Sequence, residues 1–170
     1  KTLLILVNVF QLALSWWLDR RAQFSPVEEA MIERHFATVP RGRVRKLLKL
    51  GTWRTVPAGT VLTTEGKAVE KLTYNASGSA SVRVNGAEIA IGEAGGFVGE
   101  MTALSGEAAF ATVSLREEAT VWQADAKTLR EVSARYSDIG RVLESAFFRM
   151  LRQRLNQRNQ RDSAACAAVA

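Results

Sequence analysis

The residues best suited to chemistry lie between Gly95 and Val113, in the run Gly-Gly-Phe-Val-Gly-Glu-Met-Thr-Ala-Leu-Ser-Gly-Glu-Ala-Ala-Phe-Ala-Thr-Val. Gly95 and Gly96 allow a turn that side chains would block, and Gly99 lets the backbone approach another group closely. Glu100 to Ser105 is long enough for one or two helical turns, which Gly106 can end in a left-handed conformation. Amides at the start of a short helix favour an anion, and Glu100 there can accept hydrogen bonds from a sugar hydroxyl. Each candidate also has a plainer reading. Glu100 can be a loop carboxylate capping the short helix, Thr112 a residue on a strand, and Phe110 a core side chain. Catalysis finds less support. His35 has no acid-base partner in an obvious motif, and Cys166 is alone, so one chain holds neither a disulfide framework nor a zinc site.

The elements that must hold this run can be read on either side of it. Ser25 is an N-cap, with Pro26 at the first helical position and Glu28 completing a capping box. Met31, Ile32 and Phe36 give that helix an apolar side. A second helix is expected over Arg41 to Leu50, with Val44, Leu47 and Leu48 at helical spacing, basic residues opposite, and Gly51 closing it. From Thr52 the period changes. Thr52 to Val56, Thr60 to Thr64, Lys71 to Ala76, Ser79 to Val84 and Glu88 to Ile91 read as short strands. Turns are expected at Pro57-Ala58-Gly59, Glu65-Gly66 and Ser77-Gly78, and Asn85-Gly86 is a strong two-residue hairpin signal. Ala109 to Leu115 and Ala119 to Asp125 add two strands, with Trp122 in or at the edge of the core. Asp125 caps a helix striped by Leu129, Val132 and Tyr136. A final helix restarts at Ser137-Asp138 and carries Ile139, Leu143, Phe147, Met150, Leu151 and Leu155 at helical spacing.

Many short strands with frequent turns predict a barrel or jelly roll. Gly99, Glu100, Met101, Leu104, Gly106, Ala111, Thr112 and Val113 together resemble the phosphate-binding cassette of cyclic nucleotide-binding domains. Pro57, Gly59, Gly66, Tyr74 and Gly78 resemble that family's glycine skeleton, and the likeness extends from Phe36 to about Leu155. It implies a mainly β fold with flanking α helices: a β-roll (double-stranded β-helix or jelly roll) with N-terminal helices and a C-terminal amphipathic helix. It also implies a cyclic nucleotide site formed by Phe97, Val98, Gly99, Glu100, Met101, Thr102, Ala109, Phe110, Ala111 and Thr112. Cyclic AMP or cyclic GMP would be the ligand, with no required cofactor and no metal. The chain departs from the family where Pro-Arg is usual. Ala108 and Ala109 stand there, preceded by Glu107, and in the family that arginine pairs with the cyclic phosphate. A hydrogen bond to a charged group contributes roughly 1.5–3 kcal/mol, or about 10- to 150-fold in affinity. Weak, altered or absent nucleotide binding are all compatible with Ala109.

The chain has 170 residues, 47% of them hydrophobic, enough for one ordinary domain with a core. Its net charge of +6 is uneven. Arg41 to Arg54 holds six basic residues and no acidic one, and Arg141 to Arg161 holds six arginines against Glu144. Such a basic rim suits a membrane surface or a polyanion, or else a solvated helix face. Lys1 to Leu18 is strongly apolar and ends in Trp16 and Trp17, followed by Asp19, Arg20 and Arg21. It reads as the end of a transmembrane helix with an interfacial belt and its positive flank inside. A docked soluble helix and a signal sequence are the competing readings, the latter weakened by arginines on the wrong flank and no small-x-small cleavage site. The start at Lys1 is what a fragment of a longer chain would show.

An apolar segment leading into such a roll also resembles the layout of the Popeye domain group, although no Popeye-specific ligand motif is present. The domains expected are a membrane-associated helix over 1–21, N-terminal helices over 22–50, the roll over 51–125, C-terminal helices over 126–162 and a flexible tail over 163–170. The function expected is a membrane-tethered regulatory module, not an enzyme, with its roll cytoplasmic and ligand occupancy coupled to the last helix. That helix would carry a homodimer or partner contact. No nucleic acid is expected as a partner, since no helix-turn-helix follows the last helix. The alternative is a degenerate roll that binds no nucleotide and serves protein interaction or dimerisation.

Overall fold

Ser25 caps a helix as its spacing predicts. In the computed structural model, which describes residues 24–136 and 140–152 with Gln11 and Asn156 besides, its hydroxyl accepts from the Glu28 amide. The Glu28 carboxylate accepts in return from the Ser25 amide, at 2.8 Å. This box starts α1 (Pro26–His35). Helix α2 (Arg41–Leu48) follows, burying Val44, Leu47 and Leu48. The expectation that Gly51 terminates α2 is corrected. The C-cap is Lys49 in right-handed geometry, and Gly51 is the first residue of β1.

Among the described residues eight strands build the roll: β1 (Gly51–Val56), β2 (Val61–Thr63), β3 (Lys71–Asn75), β4 (Ala80–Val84), β5 (Ala87–Gly92), β6 (Gly96–Val98), β7 (Thr112–Leu115) and β8 (Ala119–Asp125). They form two antiparallel four-stranded sheets, ordered β1-β8-β3-β6 and β2-β7-β4-β5. The turns fall where the glycines require them. Asn85 and Gly86 both have positive φ, 50° and 78°, as a tight two-residue hairpin between β4 and β5 demands. The expected strand at Ala109 begins later, at Thr112, and β6 is a strand where only a turn and cassette were expected.

The helices after the roll are α4 (Ala126–Arg135), capped by Asp125, and α5, helical over 140–152. Side chains alternate across β8. Trp122 and Ala124 therefore join Leu72, Tyr74 and Phe97 in a core shared with α1, α2, α4 and α5. Val121 and Ala119 face the other way and pack with Ala80, Val113 and Leu115 between the two sheets. Leu143, Ala146 and Met150 of α5 are buried, but Leu151 is exposed. Tyr136 is 52% exposed at the end of α4 and does not complete the stripe begun by Leu129. Ile139 and Leu155 lie outside the described residues, as do the apolar stretch 1–10 and 12–18 and the tail 163–170. Among the described residues no helix is long and apolar enough to cross a membrane.

Candidate functional site

The cassette begins where β6 leaves β3, after the pairs Asn75–Gly96, Tyr74–Phe97 and Thr73–Val98. At Gly99 the backbone turns left-handed, with φ of 82°. A Cβ there would lie 2.8 Å from Cγ1 of Val69 and 3.5 Å from Cγ2 of Thr63. Conformation and space both require glycine. One turn of helix follows, α3 (Glu100–Ala103), whose Ala103 amide donates to the Gly99 carbonyl at 2.8 Å. Gly106, with φ of 78°, ends the turn by donating its amide to Thr102 O at 2.8 Å. Glu100 and Thr102 are sunk into the molecule, 8% and 2% exposed. A buried carboxylate is tolerated only with polar partners, and Glu100 is not without them.

The return limb is tied down by backbone. Ala108 bridges to Ala68, the Ala109 amide donates to Lys67 O at 2.8 Å, and the Gly66 amide donates to Ala109 O at 2.9 Å. Ala109 itself is buried. The two limbs meet through Thr63. Its methyl neighbours Gly99, and its hydroxyl donates to Ala111 O at 3.1 Å. The sequence places Thr63 only on a strand, and no local signal marks it as the link.

Several candidates take other places. Phe97 is buried in a ring cluster with His35, Tyr74, Phe36 and Phe147, so its side chain belongs to the core. Val98 is half-buried against the inter-sheet core. Phe110 is 63% exposed, which goes against the core alternative of its two readings. Thr112 accepts the Glu65 amide on its hydroxyl at 3.0 Å and so fastens the loop after β2. Glu107 is exposed and receives the Ser105 hydroxyl at 3.4 Å. Met101 lies within α3. Of the candidates, Gly99 and Ala111 are thus brought together through Thr63, while Glu100 and Thr102 are buried in the turn that follows Gly99.

Side chains from the helices hold the cassette at both ends. Arg130 of α4 donates through Nη1 to Ala103 O at 2.7 Å, capping the end of α3. His35 at the end of α1 meets Gly95 O through Nε2 at 2.7 Å. A carbonyl only accepts, so that nitrogen carries the proton. Arg34 donates to Ala94 O at 3.2 Å. Arg149 of α5 donates to the His35 carbonyl at 2.8 Å, and Phe147 of α5 stacks edge-on to Phe97 with centroids 5.7 Å apart. Burial raises the Tyr74 pKa, with Arg34 opposing, so the phenol beneath this joint stays neutral. None of these tethers has a sequence signature, because each depends on residues far apart in the chain. Among the described residues no three His, Cys, Asp or Glu side chains converge as metal ligands.

Residues 53–136 match the family model of the cyclic nucleotide-binding domain. The chain is also similar in fold to a cyclic nucleotide-binding domain from Methylobacillus flagellatus, at 21% identity and a TM-score of 0.69, over 79% of this chain and 81% of that one. The N-terminal domain of a transcriptional regulator from Streptomyces coelicolor aligns at 19% identity and a TM-score of 0.57, over 71% and 89% of the two chains. The regulatory subunit of a cAMP-independent protein kinase A from Trypanosoma cruzi, bound to guanosine, aligns at 19% and 0.55, over 64% of this chain and 41% of its own. No curated protein matches the chain.

Proposed function

We infer that this β-roll, of the cyclic nucleotide-binding domain family over residues 53–136, serves as a non-enzymatic regulatory module whose ligand occupancy is coupled to the C-terminal helix. The observation that carries the reading is the cassette itself. A left-handed Gly99, a one-turn helix and a left-handed Gly106 frame the buried Glu100 and Thr102. A nucleotide seated there would place its ribose hydroxyls toward Glu100 and its phosphate toward the amides of α3 and the return limb. The cassette is joined to the helices through Arg130 and Ala103, and through Gly95, His35 and Arg149. A ligand that prefers one position of the cassette would shift α4 and α5 by its differential affinity for the two packings, and by no more. The apolar run before Leu18 would tether the module to a membrane, with the roll on the cytoplasmic side. Cyclic AMP or cyclic GMP is the ligand proposed.

A second reading, a roll that holds no nucleotide and acts as a protein-interaction domain, is favoured by Ala109. The resemblance aligns this buried methyl with the arginine that would face a cyclic phosphate. Calorimetric titration of the wild type and Ala109→Arg with cyclic AMP, cyclic GMP and guanosine separates the readings. A working pocket predicts a gain in cyclic nucleotide affinity of about 10- to 150-fold on restoring the guanidinium, and no gain for guanosine. Heatless titrations for both proteins would support the interaction-domain reading.

A further inference from the structure

We propose that helix α2 is a docking face for an anionic bilayer surface. Its buried side is Val44, Leu47 and Leu48, while Arg43, Lys46 and, at its C-cap, Lys49 are exposed on the side turned away from the core. Arg54, on the neighbouring β1, is exposed as well. No acidic residue lies between Arg41 and Arg54 to neutralise them.

The remaining cations of α2 have partners within the chain. Arg41 pairs with Glu29, and the guanidinium groups of Arg41 and Arg45 sit 5.7 and 5.1 Å from the centroid of Phe24. Phe24 is the first described residue after the apolar stretch, and it is held against α2 by these two guanidinium groups. Leu18 and Phe24 are six residues apart. Fully extended, that is at most about 20 Å. If 1–18 lies in a bilayer, as the tether reading on which this proposal rests requires, α2 cannot stand far from the headgroups. The cations it presents fit a negative leaflet, whose attraction falls off within a Debye length of about 8–10 Å.

The test uses the full chain and the triple variant Arg43→Gln/Lys46→Gln/Lys49→Gln. All three positions are exposed, so thermal unfolding should match the wild type. Binding is measured to phosphatidylcholine vesicles with and without phosphatidylserine, at low and high salt. Each cation near such a surface is worth roughly fivefold in binding. The wild type should therefore prefer the anionic vesicles at low salt by on the order of 100-fold more than the variant does, with neutral-vesicle binding equal. High salt should erase the difference. Equal preference in the two proteins, or no preference in the wild type, overturns the proposal. Anionic vesicles holding the wild type while neutral ones hold neither protein would keep the docking face and remove the tether reading. Polyuridylate is the competing polyanion. Tighter capture by it than by the anionic vesicles, lost in the variant, assigns the face to nucleic acid and overturns the proposal.

Discussion

At Gly51 the molecule depends on a missing methyl. A Cβ there would lie 2.5 Å from Cε2 of Trp122 and 2.6 Å from the Gln123 carbonyl oxygen. Trp122 cannot give way, because it is fully buried and its indole donates to Leu48 O at 3.1 Å. Gly51→Ala should therefore cost about 1–3 kcal/mol, the usual penalty for overpacking a filled core. It would be read as a lower urea midpoint with an unchanged slope, and an unchanged midpoint would refute the packing argument. Read in the sequence, this glycine looks like a helix terminator, since local pattern cannot show a ring arriving from the far end of the roll. Gly99 and Gly106 were legible because their requirement is conformational and local. Glu100 was legible as a candidate from its place at a helix start after Gly99, and Thr102 only through the family resemblance. Phe110 and Thr63 were not assignable, since exposure and cross-strand hydrogen bonds are products of the finished fold.

Elements with strong local chemistry were the most legible. The box at Ser25 and Glu28, the Asn85-Gly86 hairpin and the span Ala119–Asp125 all stand where their residues put them. Strand β6 was missed because three residues beginning with glycine carry no alternation to read. Helix α4 allows a pH test of a cap. The Asp125 carboxylate accepts the Thr128 amide at 2.7 Å and the Thr128 hydroxyl at 2.8 Å. The backbone bond first, then the hydroxyl, lowers its pKa below the ordinary carboxylate value. A depressed pKa gives stability that is present above the unfolded value of about 3.9 and lost as pH falls through the folded one. Asp125→Asn keeps a cap but removes the titration. The wild type should be more stable at neutral pH, with the gap in thermal midpoint closing once pH falls below about 4. A gap that persists into acid would show that the charge is not what stabilises α4.

For the whole molecule, the roll and its collar of helices share one core through Trp122, Tyr74 and Phe97, and the cassette is pinned to that collar at Gly95 and Ala103. The fold class was legible from strand count, turn residues and the cassette glycines. The pinning was not, because His35, Arg130 and Arg149 are ordinary surface-type residues until the chain folds. In the proposed function this pinning is what would couple occupancy of the cassette to the packing of α5. The most direct measurement is amide hydrogen exchange of the full chain with and without millimolar cyclic AMP or cyclic GMP. At least one nucleotide should slow exchange over 95–106 and change it over 140–152 at the same ligand concentration. Protection of the cassette with 140–152 unmoved, or no change in either segment with both nucleotides, would contradict the proposed function.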